Sequence, residues 1–487
     1  MNVASVKMRS SNGAGDKESA RGRSLQSGDI RVRSRRQVCG AHRRHHAARG
    51  GEGRIAEAVP EHQQRGAHQR GVMQRAASRF AKDLALSKVG RLLFIGFLNS
   101  HSSACRPKRG EEVAVRCLDG VVLTVALRRQ DLSVMDTMLN ALYQAQFGMS
   151  DILRRAQGDF VGTFIGLDPT ECQYKTVTSG SHWRVRDYGG EDQSRSLLIV
   201  AAPIKKPYIW DLAPSASAIN HCLHQNLHVE LLEWMPASQR TGYVGLNECV
   251  SAISEAVARA TTATRGSKPF LIGHSLGGTL AAIYGAFMPE SIRGLVLLGA
   301  PLCFEPSKSE FRDALVSLVP SEPSDAGIFP GSLLSHASAL ASPHTFIWSR
   351  LMDAAISVTD PHAMEIHARV ERWALDEVPL PGKLVHQIIE WLYRENRFCR
   401  GTLNIGEKLL GPASLSTPTL AIVNTSDEVA PPAAVKPFIE AMPAKNGRTI
   451  EYPGEVGVCL QHLAILIGRQ ARANVWPQIL SWLKSLS

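Results

Sequence analysis

No stretch of this 487-residue chain strings together the ~18 apolar residues that a membrane-crossing helix requires, so no transmembrane segment is expected. The run Arg91-Leu92-Leu93-Phe94-Ile95-Gly96-Phe97-Leu98 is too short, and it begins too late to be a secretory signal. Paired cysteine motifs are missing as well. The nine cysteines (Cys39, Cys105, Cys117, Cys172, Cys222, Cys249, Cys303, Cys399 and Cys459) include no C-x-x-C. An odd number without spacing fits free, mostly buried thiols in a reducing cytoplasm. Acidic residues are scarce at the N-terminus, where residues 1–134 hold 26 Lys+Arg against 11 Asp+Glu. That leaves the rest of the chain at −4, so the overall charge of +11 belongs to the leader and no nucleic-acid channel is expected in the body.

The leader also lacks apolar periodicity, and it can bury too little to offset its chain entropy. It reads as a disordered tail, a start assigned too far upstream, or a basic arm for nucleic acid or a granule surface. Its His42-Arg43-Arg44-His45-His46 cluster lacks the spacing of a structural metal site, and no metal or cofactor is expected. Order should begin near Met135, where Leu139, Leu142, Tyr143 and Phe147 recur at helical spacing.

From there strands and helices alternate. Strands are expected at 182–188, 196–202, 229–234, 270–272, 292–298, 417–423 and 448–452. Helices are expected at 216–225, 245–264 and at the C-terminus. Continuous apolar runs such as Ser196 to Ala202 suit buried parallel strands, so the fold class is α/β, a mostly parallel sheet with helices on both faces. Between residues 303 and 412 the alternation gives way to a helical, aromatic-rich insert. That divides the ordered chain into core (135–302), lid (303–412) and core (413–487). Most lid aromatics should pack within the lid, and a subset should line an apolar pocket.

The densest signal is Phe270-Leu271-Ile272-Gly273-His274-Ser275-Leu276-Gly277-Gly278, where a strand enters G-x-S-x-G and a small-residue helix leaves it. This is the pattern of a nucleophile elbow, with glycines where side chains would clash and Ser275 raised above the sheet edge. A serine needs a base and an orienting acid, which in α/β-hydrolases follow in the order acid, then histidine. Asp427 lies in the loop after the 417–423 strand, with Glu428 as its neighbouring alternative. His462 follows the last strand, where its other reading is a polar helix cap. The backbone N–H groups of Leu276 and Ile204 are the expected oxyanion donors, Pro203 having none. His274 is expected to be structural.

The segment Pro203-Ile204-Lys205-Lys206-Pro207-Tyr208-Ile209-Trp210-Asp211-Leu212 is similar to the INKYYILDL signature of polyhydroxyalkanoate synthases. Trp373-Ala374-Leu375-Asp376 with Pro381 and His386 resembles that family's W-N-x-D lid motif, with alanine in the asparagine position. Asp427 to Pro431, and His462-Leu463-Ala464 with Gly468, resemble its acid and histidine segments. The resemblance implies an α/β-hydrolase fold from about 135 to 487 with a helical lid insertion, and catalysis by Ser275, Asp427 and His462. The synthases carry cysteine at position 275. Serine there favours hydrolysis of a hydroxyacyl ester or thioester, because the acyl-enzyme becomes an ordinary ester. A polymerase acting on hydroxyacyl-coenzyme A is the second expectation. A non-catalytic protein that binds a polyester granule or a synthase subunit is the third. A cytoplasmic location and a homodimer complete the expectations.

Overall fold

The computed structural model describes residues 114–116, 122–124, 129–190, 192–319, 327–443 and 446–486, with side chains from residue 145 onward except 191–194. These elements fall in one compact unit, Gly90–Ser487. The expected leader lies outside the described residues, save for two pieces. Ala114–Arg116 pairs antiparallel with Val122–Thr124, and α1 (Arg129–Ile165) starts before Met135.

Eight strands build the central sheet: β1 (Lys175–Ser179), β2 (Trp183–Gly189), β3 (Asp192–Val200), β4 (Leu227–Trp234), β5 (Phe270–His274), β6 (Gly294–Leu298), β7 (Thr419–Asn424) and β8 (Gly447–Tyr452). Their spatial order is β8-β7-β6-β5-β3-β4-β2-β1. Every pair from β4 to β8 is parallel, and β2 and β1 add on antiparallel at one edge. Period-two geometry sends Leu198 and Val200 to one face and Leu197 and Ile199 to the other, and all four are buried. The first face packs on α2 (Leu246–Ala263) and α3 (Ser275–Phe287). The second packs on Ile219, Ile465, Trp476 and Ile479. Both faces are therefore covered, as apolar parallel strands require.

Two local expectations need correction. The helix expected at 216–225 is shorter, because Ala216–Ser217 pairs with Asp211–Ala213 and the helix runs Ala218–Leu223. Ser217 is its cap, its Oγ accepting the Asn220 N–H at 2.8 Å, so the helix starts at Ala218. β1 was not foreseen, because its Lys-Thr-Val-Thr-Ser side chains are mostly exposed and offer no apolar alternation.

Between β6 and β7 the chain is largely helical: α4 (Glu310–Leu318), α5 (Gly331–Ala341), α6 (Ser349–Ser357), α7 (Pro361–Ala374) and α8 (Gly382–Gln387). The ends of this insert are tied covalently. Cys303 and Cys399 form a disulfide with Cα atoms 5.1 Å apart, which corrects the expectation of free thiols throughout. Cys172, Cys222, Cys249 and Cys459 are free. Asn396 brings the bonded pair together, its Oδ1 accepting the Phe304 N–H at 2.8 Å while Phe304 stacks on Tyr393. Such a bond is uncommon in a reducing compartment, so the cysteines lend no support to a cytoplasmic location. With the bonded positions 96 apart in sequence, the cross-link should stabilise by up to about 4.7 kcal/mol through loop entropy. Cys303→Ala is expected to lower the melting temperature by several degrees. An unchanged melting temperature, together with free thiol titration of wild type at Cys303, would show that the bond does not form.

Candidate active site

The elbow follows from steric limits at the end of β5. A Cβ on Gly273 would lie 2.6 Å from Gly278 Cα, and one on Gly277 would lie 2.3 Å from the Val200 carbonyl oxygen. Only glycine lets the strand turn this tightly into α3 beside the end of β3. Ser275 takes up the turn with φ of 54°, a left-handed conformation that a β-substituted residue seldom adopts. Its side chain reaches a cavity of about 420 Å³, also lined by Leu276, Ile204 and His462. The N-terminal N–H groups of α3 and the turn after β3 thus border the space beside the serine.

His462 sits on the turn after β8, buried, with Nδ1 2.7 Å from Asp427 Oδ2. Asp427 is held from behind, since its Oδ1 accepts the N–H groups of Val429 at 2.8 Å and Ala430 at 3.1 Å. Burial pushes its carboxyl up, but His462 and these two N–H groups outweigh that and hold its pKa below the ordinary value. His462 Nε2 is buried with no hydrogen-bond partner among the described residues. That nitrogen is therefore free to accept a proton within the serine cavity. Glu428, the alternative acid, turns away: its carboxylate meets Thr345 Oγ1 and His344 Nδ1, and its side chain is half exposed.

Residues 232–455 match the family model described as the alpha/beta hydrolase fold. Together with the sheet order and the elbow, this settles the architecture. The chain has an α/β-hydrolase fold. Several of its curated relatives are named as poly(3-hydroxyalkanoate) polymerases. Over 327 residues it is 27% identical to the "Poly(3-hydroxyalkanoate) polymerase subunit PhaC" of Haloferax mediterranei, covering 65% of this chain and 64% of that protein. Against the protein of the same name from Haloarcula marismortui it is 24% identical, over 60% of this chain and 61% of the other. The Thiocystis violacea protein of that name is 24% identical, over 70% of this chain and 93% of its own length. The match thus spans somewhat under two thirds of the first two relatives.

Within this fold the two segments that carry the synthase resemblance pack on each other. The turn after β3 and the end of α7 form a backbone clasp, with Lys205 bridged to Glu377 and the Val378 N–H donating to the Ile204 carbonyl at 3.3 Å. Trp373 Nε1 donates to the Lys206 carbonyl, and Tyr208 Oη donates to Asp376 Oδ2 at 2.6 Å. Phe346, Trp373 and Tyr393 line the cavity, whereas Phe398 is buried in the core and Trp348 is half exposed.

His274, expected to be structural, adjoins the serine in the strand that feeds the elbow. It lines the cavity, its Nε2 donates to the His462 backbone carbonyl at 2.7 Å, and the two rings lie 4.6 Å apart. It therefore holds the turn that bears His462 against the end of β5. Burial and the neighbouring His462 push its pKa down to about 3. Between an unfolded value near 6.5 and that figure, the unfolded chain binds a proton that the folded chain refuses. Stability is thus fully present above about 6.5 and falls by up to about 1.4 kcal/mol per pH unit as acid is added. His274→Gln keeps an N–H donor without titrating, so its melting temperature should fall less between pH 6.5 and 4.5 than that of wild type. Parallel curves would contradict this reading.

Proposed function

We propose that the protein is a serine acyl-transfer enzyme that hydrolyses a hydroxyacyl ester or thioester. The observation that carries this reading is the 2.7 Å Asp427–His462 contact beside an elbow serine, with His462 Nε2 left open. Ser275 Oγ attacks the acyl carbonyl while His462 Nε2 takes its proton. Asp427 fixes the Nδ1–H tautomer and stabilises the imidazolium. The Leu276 and Ile204 N–H groups receive the oxyanion. Collapse expels the alcohol or thiol, which takes the proton from His462. Water then attacks the acyl carbon while the same nitrogen takes one of its protons, and collapse releases the hydroxy acid as His462 returns that proton to Ser275 Oγ. The largely apolar cavity suits the acyl chain.

A second reading, chain growth on a hydroxyacyl thioester, is supported by the polymerase names of the relatives. The two readings differ in what attacks the acyl-enzyme. With (R)-3-hydroxybutyryl-coenzyme A, the hydrolase reading expects free hydroxybutyrate in step with released thiol. Thiol release with oligomers in place of the monomeric acid would favour the polymerase. Among the described residues no helix is long and apolar enough to cross a membrane.

A further inference from the structure

The cavity that holds Ser275 has an uneven charge. Four cationic side chains line it, Arg154, Lys205, Lys206 and Arg350, and no carboxylate does among the described residues. The carboxylates that partner these cations stand behind the wall. Glu377, whose side chain is 1% exposed, takes Arg154 Nε at 2.8 Å and Lys205 Nζ at 3.5 Å. Glu371 takes Arg350. Three inward cations therefore share two carboxylates, and Lys206, half exposed, pairs with Asp376 at 3.3 Å.

These cations converge. Arg154 Nη2 and Lys205 Nζ both donate to the Ala374 carbonyl, at 3.2 and 2.6 Å, which brings α1, the turn after β3 and the end of α7 to one point. Lys205 Nζ also reaches Ser335 Oγ on α5 at 3.4 Å. Burial, joined by repulsion from Arg154 and Arg350, holds the Lys205 ammonium down at about 8 despite the pull of Glu377. An anion in the cavity would relieve that repulsion. The rest of the wall is largely apolar.

We propose that this cationic wall binds an anionic group, a carboxylate or a phosphate, carried by the substrate away from the reacting carbonyl. The proposal rests on the acyl-transfer reading and narrows its substrate class from esters in general to charged ones. Two sources share the chemistry: the free carboxylate that ends a short hydroxyacyl oligomer, and the phosphates of a coenzyme A thioester.

Four substrates separate these sources. The linear dimer of (R)-3-hydroxybutyrate is compared with its methyl ester, and (R)-3-hydroxybutyryl-coenzyme A with its phosphate-free N-acetylcysteamine thioester. At least one anionic member should show kcat/KM ten or more times that of its neutral partner, and the pair that does so names the source. Lys205→Met and Arg154→Met should each shrink that ratio by about fivefold or more, with folding checked by melting temperature. Arg350→Met, whose partner Glu371 is partly exposed, provides the same reading if Lys205→Met does not fold. Ratios near one in both pairs, or ratios unmoved in folded variants, would overturn the proposal. If wild type turns over none of the four, the acyl-transfer reading fails, and the anion claim is then read by calorimetry on Ser275→Ala protein. There the dimer carboxylate should bind at least tenfold more tightly than its methyl ester, and equal affinities would sink the anion site too.

Discussion

Ser275→Ala is expected to lower kcat by roughly 10⁴-fold or more while leaving the melting temperature within about a degree. The side chain faces the cavity and fills no core volume, so its loss opens no cavity in packed structure. Alanine also has to adopt the left-handed φ that Ser275 already holds, so the backbone cost is nearly the same in both proteins. The rate loss reflects the missing nucleophile alone. What remains should be the small contribution of binding and oxyanion stabilisation. Activity within tenfold of wild type would remove Ser275 from the mechanism.

Asp427→Asn should cost on the order of 10³ to 10⁴ in kcat. The reason lies in the two faces of the carboxylate. Val429 and Ala430 N–H groups both donate to Oδ1, so an asparagine would place its carbonyl oxygen there. Its NH₂ group would then face His462 Nδ1, which must accept. The proton would move to Nε2, and the nitrogen that should receive the serine proton would be blocked. Glu428→Gln offers the contrast. Its carboxylate meets Thr345 and His344 of the helical insert, so activity should change only a few-fold. A larger loss for Glu428→Gln than for Asp427→Asn would reverse the assignment of the acid.

The elbow and the order of the later site residues were legible in the sequence for local reasons. A turn that admits only glycine at Gly273 and Gly277 leaves a short-range signature, and apolar strand runs mark where the loops bearing Asp427 and His462 begin. The burial of both faces of β3 likewise shows up as an unbroken apolar run. Other features depend on residues far apart in the chain and leave no local trace. His274 and His462 are separated by 188 positions, and the contact that links them runs to a backbone carbonyl, which no residue type announces. The Cys303–Cys399 bond joins positions 96 apart with no spacing rule to betray it. The charge on the cavity wall required knowing that Glu377 points away from the cavity and toward Lys205 and Arg154.

Ser275 should become acylated by way of the Asp427–His462 relay. Intact-protein and peptide mass spectrometry after a brief incubation with (R)-3-hydroxybutyryl-coenzyme A and an acid quench reads this directly. One hydroxybutyryl adduct should map to the peptide containing Ser275, be absent from Ser275→Ala, and decay in buffer as free hydroxybutyrate appears. An adduct on Cys459 or any other residue, or one that persists in Ser275→Ala, would contradict the account.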